Sequence, residues 1–212
     1  MPETPPAALL FLSSQCPHCP AVLSGLADLV KRGLIGRLEA VNIQAHPEAA
    51  REQGVRAVPW VWLGPFRLTG AQSPGELETW ARRAAAPEGL ADAFHDYLRI
   101  GAAAEVLHLV EEVPERLAGL LPIVANPEAS LNVRLGAGMV FEEYAGKPAL
   151  QGLVPELCRL AESKNARVRA DAAHLLGLVT SSDAEACLKR LLADDDADVR
   201  EIAVESLAPK NG

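Results

Sequence analysis

Apolar residues follow two rhythms along the chain: short runs and alternations up to about residue 86, and helical spacing beyond it. Ala7-Ala8-Leu9-Leu10-Phe11-Leu12 is a continuous apolar run of the length expected for a buried strand. Val22, Leu23, Leu26, Leu29 and Val30 then recur at helical spacing, and Gly33 supplies a stop. Arg37 to Ile43, with Leu38, Val41 and Ile43, predicts a second strand, and Pro47 to Gln53 a short helix ending near Gly54. Val58 to Leu63 and Pro65 to Thr69 predict two more strands with Gly64 as the turn between them. Pro74 to Ala86 reads as a helix with Leu77, Trp80 and Ala81 inward. The order is βαβαββα, and a crossover helix between the first two strands suits a parallel pair.

From Pro87 onward strand signals vanish. Glu88 to Leu98 and Ala102 to Val113 predict helices separated near Gly101. A repeat then emerges at three valine-arginine pairs, Val133-Arg134, Val168-Arg169 and Val199-Arg200, at intervals of 35 and 31 residues. Three residues before each valine stand Ser130, Asn165 and Asp196, all good N-caps. Ala137, Ala172 and Ala203 follow four positions after it, and Phe141, Leu176 and Leu207 eight after. Each unit is therefore a capped helix with an apolar stripe, preceded by another helix at Glu115–Ala125, Ala149–Ala161 and Asp183–Ala193. Over residues 114–208 this pattern resembles the short bacterial kind of HEAT repeat. That resemblance implies a helical stack that binds proteins, or a rigid cap or dimer platform, rather than chemistry. Arg134, Arg169 and Arg200 are expected to form a structural ladder between repeats.

Charge separates the same two regions. Residues 1–86 carry 8 Lys+Arg against 7 Asp+Glu, whereas residues 87–212 carry 12 against 21. An acidic second half argues against nonspecific nucleic-acid binding. No apolar run approaches the roughly 18 residues of a membrane span, and Met1-Pro2-Glu3-Thr4-Pro5-Pro6 lacks a basic leader region. A cytoplasmic location is the expectation, in which close-spaced cysteines are catalytic rather than structural.

Two of the four cysteines lie in Ser13-Ser14-Gln15-Cys16-Pro17-His18-Cys19-Pro20, between the first strand and the first helix. Thiols three residues apart share one side of a helix's first turn and can close a disulfide with little backbone movement. The N–H groups of that turn favour a thiolate on Cys16. Pro17 is expected at an early helical position, where a missing N–H costs nothing. Cys16 would attack a substrate disulfide, and the more buried Cys19 would resolve the mixed disulfide. Zinc is the competing use of Cys-x-x-Cys, but it needs two more ligands, and only His18 and distant His46 are available.

Over about residues 5–86 the chain resembles the thioredoxin fold, closest to its small glutaredoxin-like forms. The matching features are Cys16-Pro17-His18-Cys19 after the first strand, Pro20 behind it, Val58-Pro59 at the third strand and Gly70 after the fourth. The resemblance implies that Pro59 is cis and lies against the disulfide, and that Val58 offers its backbone to a substrate peptide. It also implies that Pro-His between the cysteines makes the couple oxidising, His18 favouring the Cys16 thiolate. The sequence departs from the family in having Gln15 before the first cysteine and no carboxylate in Leu9-Leu10-Phe11.

Other patterns lead elsewhere. Gly136-Ala137-Gly138 has no strand before it, and Phe141 stands where a dinucleotide fingerprint needs glycine. Asp194, Asp196, Asp198 and Glu205 have calcium-loop spacing, but Val199 fills the glycine position. Cys158 lies ten residues before its reference valine and Cys187 twelve, a rotation of about 200° around a helix. Buried free thiols are the expectation there. His46, His95 and His108 are isolated; Trp60 and Trp62 point the same way on one strand and are expected in the core, with the border of the active-site face as the alternative for Trp60.

The expected architecture is an α/β thioredoxin-like domain over 1–86, followed by an all-α HEAT-like solenoid domain over 87–212. The expected function is a thiol-disulfide oxidoreductase. Cys16 and Cys19 are its catalytic pair, Pro17 and His18 modulate it, and Val58 and Pro59 bind substrate. It needs no cofactor or metal beyond its redox-active disulfide. Its expected partners are proteins with disulfides or thiols and an electron-donor or acceptor protein, not nucleic acid or membrane. The alternative is a non-catalytic scaffold whose binding is controlled by redox state.

Overall fold

A computed structural model describes residues 5–86 and 88–208. The chain forms two compact units, one ending at Leu90 and the other beginning at Ala91.

The first unit is built on a four-stranded sheet. Its elements are β1 (Ala7–Leu12), α1 (Cys19–Lys31), β2 (Arg37–Asn42), α2 (Pro47–Glu52), β3 (Trp60–Leu63), β4 (Phe66–Thr69) and α3 (Pro74–Ala85). The strand order is β2-β1-β3-β4. β1 and β2 are parallel, with Phe11 opposite Val41, and the other pairs are antiparallel. The third and fourth strands are shorter than expected because Val58-Pro59 and Pro65 stay outside them; proline cannot donate to a ladder.

Alternation on β1 sorts the core onto two faces. Ala8 and Leu10 lie opposite Leu63 and Val61, and all four are buried. Leu9 and Phe11 lie opposite Trp62 and Trp60 on the other face. There Phe11, Ala50 and Trp60 form a buried cluster with Val41, Ile43, Val58 and Trp62 packed against it. The rings of Phe11 and Trp60 meet edge to face at 5.6 Å. Trp60 is thus a core residue, as its alternation indicated.

Two devices hold α1 and α3. Ser73 caps α3, its hydroxyl accepting from the Glu76 N–H while the Glu76 carboxylate accepts from the Ser73 N–H. The guanidinium of Arg32, just beyond α1, lies 2.8 Å from the Glu78 carboxylate, which also pairs with Arg82 at 2.6 Å. Hydrogen bonds from these two arginines hold the Glu78 pKa down to about 2.

The second unit is helical. It comprises most of α4 (Gly89–Arg99), then α5 (Ala103–Glu112), a 3-10 stretch at Pro114–Leu120 and α6 (Leu121–Val124). There follow α7 (Leu131–Glu142), α8 (Pro148–Gln151), α9 (Val154–Leu160), α10 (Ala166–Gly177), α11 (Ser182–Leu191) and α12 (Ala197–Leu207). The valine-arginine helices α7, α10 and α12 begin where the N-cap pattern placed them. Val133, Val168, Val199, Ala137, Ala172 and Ala203 are all buried. The first helices of the first two repeats are less regular than expected. Pro122 and Pro155 each lack the N–H that would continue an upstream turn, so α6 is separated from the 3-10 stretch before it and α8 from α9.

Arg134 donates two hydrogen bonds to Asp171 on the next repeat, and Arg169 donates two to Asp194, both at 2.7 Å. Arg200 instead donates to the backbone carbonyls of Asp194 and Asp195. Arg134 and Arg169 form the anticipated ladder, each on a carboxylate of the next repeat, whereas Arg200 departs from it by bonding within its own repeat. Hydrogen bonding from Arg169 lowers the Asp194 pKa.

Cys158 and Cys187 are joined as a disulfide, with Cα atoms 5.8 Å apart, rather than being free thiols. Equivalent helices of stacked repeats run parallel, so the forward face of one meets the backward face of the next. A rotation of about 200° between two positions therefore brings them together rather than apart.

Among the described residues, no helix is long and apolar enough to cross a membrane.

Candidate active site

The sheet topology gathers the sequence motifs at one end of the first unit. β1 and β2 run parallel and end together, and Ile43 N–H continues their ladder to the Leu12 carbonyl. β3 is antiparallel to β1 and begins opposite Phe11, so Val58 and Pro59 enter the sheet at the end where β1 leaves it. The loop carrying Cys16 starts at that same end. The Val58-Pro59 bond is cis. Pro59 is buried and Val58 half-buried, and the Pro59 carbonyl accepts the Gly70 N–H at 2.9 Å.

Cys16 and Cys19 form a disulfide with Cα atoms 5.5 Å apart. Their environments differ: Cys16 is half-buried, whereas Cys19 is 2% exposed. The helix begins at Cys19 with His18 as its N-cap, so Pro17 precedes α1 and Pro20 is the proline of its first turn. This corrects the expected helical placement of Pro17. Pro20 suits the first turn because its missing N–H would have had no intrahelical partner there.

The later start moves Cys16 outside the helix and in front of it. The first helical N–H, that of Cys19, donates to Cys16 Sγ at 3.1 Å. No acidic side chain lies in the first turn, so nothing there offsets the positive end of the helix dipole. Once the disulfide opens, the same N–H faces a Cys16 thiolate. Pro17 and His18 are exposed between the two sulfurs.

Beneath the site no carboxylate stands in for the one missing from the sequence. Among the described residues, no polar or charged residue is buried as a whole.

Gln44 makes contacts at this end of the sheet that sequence patterns did not signal. Its side-chain oxygen accepts from the Ser14 hydroxyl at 2.6 Å and the Ser14 N–H at 3.4 Å, and its own N–H donates to Asn42. This ties the cysteine loop to the loop after β2. A lone glutamine thirty positions from its partner has no local spacing to reveal it.

Residues 9–82 match the description "Thioredoxin domain". A thioredoxin from Methanocaldococcus jannaschii is 33% identical over 76 residues, which span 32% of this chain and 82% of that protein. The chain belongs to the thioredoxin family. As a thioredoxin-family chain it has a second segment, for residues 117–208 match HEAT repeats. The thioredoxin match encloses both Cys16 and Cys19 and both Val58 and Pro59, and it supports a thioredoxin-like redox role.

Proposed function

We propose that the protein is a thiol-disulfide oxidoreductase acting on protein disulfides, with Cys16 as nucleophile and Cys19 as resolving thiol. The observation that carries this reading is the asymmetry of the pair. Cys16 is the accessible sulfur and receives an N–H from the start of α1, and Cys19 is buried behind it. The Cys16 thiolate attacks one substrate sulfur, forming a mixed disulfide and releasing the other sulfur as a thiolate. Deprotonated Cys19 then attacks Cys16 Sγ, closing the disulfide and releasing the second substrate thiol. Two electrons pass to the substrate, and the reverse direction uses the same steps.

In this reading Val58 aligns the substrate backbone, Pro59 packs beside the sulfurs, and Pro17 and His18 tune the couple. The redox-active disulfide itself is the redox group, with no further cofactor or metal. An electron-donor or acceptor protein restores the starting state, and the cytoplasm is the proposed setting.

The HEAT repeats select or position the partner. Support comes from α7, where Leu131, Leu135 and Met139 are 64%, 58% and 60% exposed along one helical face. They border a groove of about 440 Å³ lined also by Arg134, Asp171 and His174. The same stripe favours a second reading, a scaffold whose binding follows the redox state of Cys16 and Cys19 without turnover.

Reduction of insulin by the prereduced protein tests the first reading. Turnover that Cys16→Ser abolishes supports it. Unchanged turnover in that variant, or none in the wild type, contradicts it.

A further inference from the structure

The helical repeats contain a sulfur pair of their own. Cys158 lies on α9 of the second repeat and Cys187 on α11 of the third. Their disulfide closes a span of 29 residues that contains α10, the helix carrying both Arg169 and Asp171 of the ladder.

The two sulfurs have unequal surroundings. Cys187 is 6% exposed, whereas Cys158 is half-buried and open to an incoming nucleophile. Arg190 Nη2 donates to Cys187 Sγ at 3.2 Å. That guanidinium also pairs with Glu162, just beyond α9, at 3.5 Å, so it is held against the sulfur from the neighbouring repeat. On the other side, Cys158 Sγ lies 3.9 Å from the Asp183 carbonyl, an acceptor for a thiol proton. A cation beside one sulfur and a carbonyl beside the other favour a thiolate on Cys187 and a protonated thiol on Cys158.

We propose that Cys158–Cys187 is a second, reversible dithiol-disulfide couple that clamps the second helical repeat to the third. An external dithiol reduces it. One of its thiolates attacks the accessible Cys158 sulfur, forming a mixed disulfide, and Cys187 departs as the thiolate stabilised by Arg190. The second reductant thiol, once deprotonated, attacks its own partner sulfur and releases Cys158, which takes up a proton. Two electrons enter the pair, and the reductant leaves as its disulfide. A leaving thiol of low pKa departs faster, so Arg190 accelerates the first step. Reduction removes the covalent link between α9 and α11, and the Arg190–Glu162 pair still joins their ends. The clamp needs nothing from Cys16 and Cys19.

The test uses the full chain carrying Cys16→Ser and Cys19→Ser, so that all thiol chemistry reports on the second pair. After incubation with oxidised glutathione, no thiol should react with iodoacetamide under native conditions. Dithiothreitol at neutral pH, without denaturant, should expose two, and reoxidation should hide them again. Adding Arg190→Gln should slow dithiothreitol reduction, and the alkylation of Cys187 in the reduced chain, by about threefold or more. The result that overturns the proposal is two reactive thiols after oxidation, no reduction without denaturant, or rates that ignore the Arg190 substitution.

Discussion

The backbone N–H of Cys19 points at the sulfur of Cys16 across 3.1 Å. This contact places the positive end of α1 on the more accessible sulfur, and it is the basis of the nucleophile role proposed for Cys16. In the fully reduced chain, Cys16 should carboxymethylate about tenfold faster than Cys19 at pH 7, because thiolate fraction and access both favour it. Mass spectrometry of partially alkylated protein, carried out in a Cys158→Ser, Cys187→Ser background, measures the ratio. Equal rates would remove the basis for naming Cys16 the nucleophile.

Helix α7 leads to a prediction about partners. Leu131, Leu135 and Met139 are exposed, and the matching positions of α10 are Ala166, Ala170 and His174. On α12 they are Ala197, Glu201 and Glu205, so the apolar stripe belongs to one repeat. Leu135→Asp with Met139→Asp should leave insulin reduction within about twofold of wild type while weakening capture of a substrate protein by about tenfold or more. Capture is measured through mixed disulfides formed by a Cys19→Ser chain. Equal loss of both activities would place the stripe in folding instead of recognition.

The Arg169–Asp194 pair joins the second repeat to the third, with side chains 16% and 8% exposed. Arg169→Met leaves a nearly buried carboxylate without its cation, which should cost about 3 kcal/mol at neutral pH. The Asp194 pKa is lowered in the folded chain, so the pair's contribution is complete above the carboxylate's unfolded pKa and fades as pH falls through the folded one. The stability gap between wild type and variant should therefore narrow below about pH 4. Urea unfolding monitored from pH 7 to pH 3 checks this, and a gap that widens on acidification would contradict it.

Gly177, the last residue of α10, makes a close approach to α12. A Cβ built there would lie 2.6 Å from Ser206 Cβ and 3.1 Å from its Cα. Alanine would gain up to about 1 kcal/mol of helix propensity, but displacing that neighbour costs about 2 kcal/mol. Gly177→Ala should thus destabilise the chain by about 1 kcal/mol net, read as a lower urea midpoint. An unchanged or higher midpoint would show that α12 yields freely.

Local chemistry was the most legible feature of the sequence. The run Ala7–Leu12 and the cysteines after it are neighbours in the chain, and strand pairing brings the Val58-Pro59 step ahead of β3 to the same end of the sheet. Ser130, Asn165 and Asp196 marked the starts of three helices, because an N-cap is decided within one turn. What escaped depended on neighbours distant in sequence. Gln44 reaches Ser14 across two strands, and Asp171 and Asp194 meet arginines 37 and 25 residues away. The Cys158–Cys187 bond was hidden by a geometric inversion: facing side chains on parallel stacked helices occupy opposite, not equal, rotations. The start of α1 shifted for a simpler reason, since Pro20 serves its first turn and Pro17 does not.

The division of labour between Cys16 and Cys19 is tested most directly by trapping the mixed disulfide. A reduced Cys19→Ser, Cys158→Ser, Cys187→Ser chain, mixed with insulin and quenched with alkylating agent, keeps Cys16 as its one thiol. A covalent adduct joined through Cys16 should form, one that the corresponding Cys16→Ser chain retaining Cys19 forms at least about tenfold more slowly. No adduct from Cys16, or equal trapping by Cys19, would contradict that division of labour.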